Sequence, residues 1–109
     1  HSFTPAMRGD TPRPWDIGVL WDQDGGFATP MINALRTHAG LVVGDNKPYS
    51  GKDPSGYTVA THAQTAGLAN ALLEVRQDHL ATPDGVARWQ TVIADALQKA
   101  FEIHARSVA

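Results

Sequence analysis

Two short, unbroken apolar runs, Ile17–Trp21 and Leu41–Val43, constrain this chain more than anything else in it. Continuity rather than alternation is the pattern of strands covered on both faces, as in a parallel sheet. A third run, Asn70–Arg76, opens with Ala71, Leu72 and Leu73 and then carries Glu74 and Arg76. Between the runs lie stretches at helical spacing. Thr29-Pro30 has an N-cap followed by a proline at the first helical position. Met31, Ala34, Leu35 and His38 follow, and Gly40 is a natural stop. A helix from Tyr57 to Ala66 places Val59, His62, Ala63 and Ala66 on one stripe before Gly67. Thr82-Pro83-Asp84 repeats the cap-and-proline start, and the helix behind it turns Val86, Trp89, Ile93, Ala96, Leu97, Ala100 and Ile103 inward as far as about Arg106. The order strand, helix, strand, helix, strand, helix predicts an α/β fold with a parallel sheet. Three strands make a thin sheet, so the reading expects it to be incompletely covered and the 109 residues to form part of a larger domain.

Composition narrows the functional classes. Nine Lys and Arg stand against eleven Asp and Glu, a net charge of −2, so no basic patch suits a nucleic-acid backbone. No apolar run approaches the ~20 residues that cross a bilayer. The absence of cysteine excludes thiolate metal ligands, disulfides and a cysteine nucleophile, and is compatible with a cytoplasmic protein. No Gly-x-Ser-x-Gly elbow, P-loop or Gly-x-Gly-x-x-Gly turn occurs. The five histidines His1, His38, His62, His79 and His104 contain no closely spaced zinc-ligand pair.

What remains is polar chemistry at a strand end and in one loop. Side chains alternate along a strand, so Glu74 and Arg76 share a face while Leu73 and Val75 take the other. Ligand crevices of open α/β sheets lie outside the carboxyl ends of strands, where such a pair belongs. The same two residues also suit a plain ion pair. The loop from Gly44 to Gly56 is the longest in the chain, a length found in functional or disordered loops. Its Asn46, Tyr49 and Ser50 could line a site or simply shape turns. His62, on an apolar stripe, reads as a core histidine. His38, His79 and His104 read as surface or helix-end residues, and Trp89 and Phe101 as packing.

Four blocks in order carry a resemblance: His1-Ser2-Phe3-Thr4-Pro5, Asp16-Ile17-Gly18-Val19-Leu20, the stretch Gly44 to Gly51, and Leu73 to Asp78. Together they resemble the C-terminal half of the N-formylglutamate amidohydrolase family. The resemblance implies a parallel-sheet, three-layer fold of the zinc carboxypeptidase kind, with residues 1–109 as the C-terminal portion of one amidohydrolase domain. It implies a cytoplasmic, zinc-dependent hydrolase of histidine degradation, acting on the amide of a small N-acylated acidic amino acid. His1 would then be a zinc ligand and Glu74 the general base acting on a metal-bound water. Arg76 would hold a substrate carboxylate, and Asn46, Tyr49 and Ser50 would line the substrate loop. The remaining zinc ligands would come from a missing N-terminal half, without which the chain would be inactive. The rival from another class is a catalytically dead α/β module that binds small carboxylates. A purely structural domain would bury Glu74 and Arg76 against each other with no adjoining cleft.

Overall fold

The structure, a computed structural model, describes residues 1–53 and 58–108. The expected helix start at Tyr57 and the loop residues 54–56 lie outside the described residues. Strands β1 (Ser2–Phe3), β2 (Ile17–Leu20), β3 (Val43–Asp45) and β4 (Leu72–Arg76) form one sheet in the order β1-β4-β2-β3. Helices α1 (Gly25–Arg36) and α2 (Pro83–Ser107) complete the frame.

The sheet is mixed, which corrects the parallel expectation. β2 pairs with β3 and β1 with β4 in parallel, but β4 runs antiparallel to β2, placing Gly18 opposite Glu74. A parallel return to the sheet normally needs a crossover helix. Among the described residues between β3 and β4 the expected helix is short, covering residues 58–64 and π-helical over Ala60–Gln64. β1 was not anticipated from the sequence, being only two residues long.

Both long helices pack on the same sheet face, so the regular elements make two layers rather than three. Ile17, Val19, Val43 and Val75 meet Ala28, Met31 and Leu35 of α1 and Trp89, Val92, Ala96 and Ala100 of α2 in one buried cluster. The opposite face carries Phe3, Gly18, Leu20, Leu72 and Glu74, and here a loop does the covering. A Cβ on Gly18 would run into the Lys47 carbonyl oxygen, and one on Gly44 would lie 2.6 Å from it. Two glycines in adjacent strands therefore let the backbone after β3 lie flat on the sheet. All four residues of β2 are buried as a result, so the expectation of an incompletely covered sheet fails for that strand.

Element ends shift for local reasons. α1 begins four residues before Thr29, because the Asp24 carboxylate accepts from the Phe27 N–H at 3.2 Å and Pro30 falls inside the helix. α2 starts where expected, with the Thr82 hydroxyl accepting from the Gly85 N–H. Its inward stripe is narrower than the sequence suggests: Trp89, Val92, Ala96 and Ala100 are buried, while Val86, Leu97, Phe101 and Ile103 are exposed. No helix among the described residues is long and apolar enough to cross a membrane.

Candidate active site

The register of β1 on β4 places His1 beside Glu74. The Val75 N–H donates to the His1 carbonyl, and the His1 amino group donates to the Leu73 carbonyl at 2.9 Å. The imidazole Nδ1 comes within 3.5 Å of Glu74 Oε1. The two side chains differ sharply in exposure, 70% for His1 against 8% for Glu74. The other carboxylate oxygen, Oε2, is buried and has no hydrogen-bond partner. Burial pushes the Glu74 carboxyl above the usual carboxylate range.

These two residues border a cavity of about 340 Å³, within the range of small-molecule sites. Tyr49 and Ser50 form its wall on the loop side, and Leu20 and Leu72 on the sheet side. Trp21, Asp22, Asp53 and Gln64 also border it and were missed in the sequence. Asp22 sits just past the β2 end, the one place where strand-end reasoning could have found it. Asp53 reaches the cavity through the path of the loop, and Gln64 from the π-helical turn.

The structure brings His1, Glu74, Tyr49 and Ser50 together and leaves Asn46 and Arg76 outside the cavity wall. Asn46, at φ 54°, accepts from the Trp21 and Gly51 N–H groups at 2.8 and 3.0 Å, which fixes the bend of the loop. Arg76 donates to both Asp78 oxygens at 2.7 and 3.1 Å and to the Trp15 carbonyl at 3.2 Å, with Asp16 3.5 Å away. Its partner is therefore not Glu74, and the buried Glu74–Arg76 pair of the purely structural reading does not form.

The histidines divide. His62 is exposed rather than in the core. His79 is drawn inward instead of lying on the surface: its Nε2 is 2.7 Å from Asp16, and its ring lies against Trp89. His38 pairs with Asp95, and His104 meets the Phe27 ring edge-on.

Among the described residues no group of three or more His, Cys, Asp or Glu side chains comes together to hold a metal ion. A catalytic zinc takes three protein ligands. The chemistry present is one accessible imidazole beside a desolvated carboxylate with a vacant acceptor. That suits one corner of a metal site and a general base, not a complete ligand set.

Comparison with known proteins agrees with the blocks read in the sequence. The family model described as N-formylglutamate amidohydrolase matches residues 1–81. A crystal structure of a gene product from Agrobacterium tumefaciens superposes with a TM-score of 0.76 at 29% identity. The match covers 100% of this chain and 41% of that one, so the chain spans well under half of the solved relative. No curated protein matches the chain.

Proposed function

Because the chain belongs to the N-formylglutamate amidohydrolase family, we propose that its cavity forms part of a site where an N-acylated acidic amino acid, such as N-formyl-L-glutamate, is hydrolysed. The observation that carries this reading is Glu74: a buried carboxylate with an unpartnered oxygen, bordering a cavity of about 340 Å³. A desolvated carboxylate holds a proton more readily than a solvated one, which suits a group that takes a proton from water and returns it to the leaving amine. Glu74 does the first as the water adds to the amide carbonyl and the second as the C–N bond breaks. Leu20 and Leu72 keep bulk water from that carboxylate, while Tyr49 and Ser50 present hydroxyl groups to the polar parts of the substrate.

Zinc enters this reading through His1, which would hold it at the cavity mouth. When bound, it would supply Lewis-acid polarisation and lower the pKa of water to roughly 7. With one imidazole available, residues 1–109 alone should bind zinc weakly and turn over no substrate. One tight stoichiometric site in a calorimetric titration of this chain would contradict that.

Glu74→Gln in the holoenzyme tests the central claim. The amide keeps the size of the carboxylate and loses its basicity, so kcat should fall by about 10²- to 10⁴-fold with zinc content unchanged. Near-normal kcat with full zinc would remove Glu74 from the mechanism.

A further inference from the structure

The cavity has a charge problem. Three carboxylates border it, Asp22, Asp53 and Glu74, yet its proposed substrate is an acid. An anion entering such a site needs a cation fixed nearby, and Arg76 is already engaged by Asp78 and Asp16.

Arg13 does not itself border the cavity but is hydrogen-bonded to Tyr49, which does. Its half-buried guanidinium lies between two rings, 5.9 Å from the Phe3 centroid and 5.1 Å from that of Tyr49, the cavity-wall residue. All its side-chain hydrogen bonds leave from one nitrogen. Nη1 donates to the Thr4 carbonyl at 3.2 Å, the Thr4 hydroxyl at 3.3 Å and the Tyr49 hydroxyl at 3.1 Å. Among the described residues, Nε and Nη2 have no acceptor and no carboxylate pairs with the group. The ring contacts and the bonds to Thr4 and Tyr49 anchor the Nη1 edge of the fork, while its other edge stays unused. An arginine fixed in this way is organised for two-pronged binding of a carboxylate. A second cation, Lys52, lies 4.8 Å from the Trp21 ring centroid, but it is exposed and its single ammonium has no fork.

We infer that Arg13, carried on the loop after β1 and locked against Tyr49, is the specificity-determining residue that receives a carboxylate of the acidic substrate. This deepens the amidohydrolase reading and rests on it for the identity of the substrate. Binding draws the carboxylate to the Arg13 side of Tyr49 and leaves the amide toward Glu74.

The test compares Arg13→Gln, Arg13→Lys and Lys52→Ala in the holoenzyme on three substrates. These are N-formyl-L-glutamate and its two amides, one lacking the side-chain carboxylate and one lacking the α-carboxylate. Unchanged thermal melting of Arg13→Gln shows that the loop is intact. Loss of one charged, forked contact should lower kcat/KM for N-formyl-L-glutamate by about 10- to 100-fold, mostly through KM. The amide that lacks the carboxylate read by Arg13 should lose less than threefold. Arg13→Lys should restore part of the loss, and Lys52→Ala should change little. Equal losses on all three substrates, or a larger effect of Lys52→Ala, overturn the assignment. If the parent enzyme hydrolyses none of the three, the amidohydrolase reading fails separately. Calorimetry with glutarate then decides: binding by the parent and not by Arg13→Gln upholds the carboxylate site, and equal binding or none overturns it.

Discussion

Asp78 holds Arg76 from two residues along the chain, and the pair shows how much a single position can tell. The Arg76 hydrogen bond keeps the Asp78 carboxyl below the usual carboxylate range. A carboxylate whose folded pKa is depressed contributes stability above its unfolded value, near 4, and loses that contribution as pH falls through the folded value. Asp78→Asn should therefore destabilise the protein at pH 7, and the difference should shrink as pH falls below about 4, which urea unfolding across that range would show. The Asp78 side chain is 45% exposed, so the loss at pH 7 should be at most about 1 kcal/mol. Strand alternation was enough to put Glu74 and Arg76 on one face. It could not say which carboxylate each would meet, because Asp16 stands across from Arg76 at the start of the neighbouring strand β2 and Asp78 comes from the turn after β4. Arg13 was hidden for the same reason: its role depends on Phe3 and Tyr49, remote in sequence and joined only by the fold.

At the scale of elements, the loop from Asn46 to Gly51 is set by the flat patch beneath it. Gly18→Ala places a methyl group against the Lys47 carbonyl, and backbone cannot swing aside as a side-chain tip can. The substitution should cost about 1–3 kcal/mol by urea unfolding, and the displaced loop should raise KM by moving Tyr49 and Ser50. An unchanged KM would mean that the loop does not form the substrate wall. The start of α1 offers a second check. Asp24 caps Phe27 and also accepts from the Asn70 N–H at 2.9 Å, so it joins the helix to the segment entering β4. Asp24→Ala should cost about 1–2 kcal/mol, whereas Thr29→Ala, exposed within the helix, should stay within about 0.5 kcal/mol. Thr29-Pro30 was the stronger local signal and Asp24 the effective one. The apolar runs announced β2 and β4 because burial wrote them directly into composition. β1 left no such trace, and the antiparallel entry of β4 depended on a connection that propensity does not describe.

Taken whole, the molecule is a mixed sheet with two helices on one face and a loop on the other, and α2 has more apolar surface than that arrangement uses. The sequence counted Trp89, Leu97 and Ile103 alike, since each falls near a 3.6-residue period, and read Phe101 as packing too. The single helical layer buries only the stripe that faces the sheet and α1. Trp89 is 2% exposed and Phe101 is 64% exposed, although they lie on the same helix. Trp89→Ala would remove a large side chain from the centre of the cluster, where neighbours relax only partly into the space. It should cost about 3–5 kcal/mol. Phe101→Ser removes little buried area and keeps a residue that an exposed helical site tolerates, so its effect should stay within about 0.5 kcal/mol. Urea unfolding of both variants of this chain measures the contrast directly. Equal losses at the two positions would mean that α2 is rotated about its axis from the packing described, and the ring of Trp89 would no longer lie against His79.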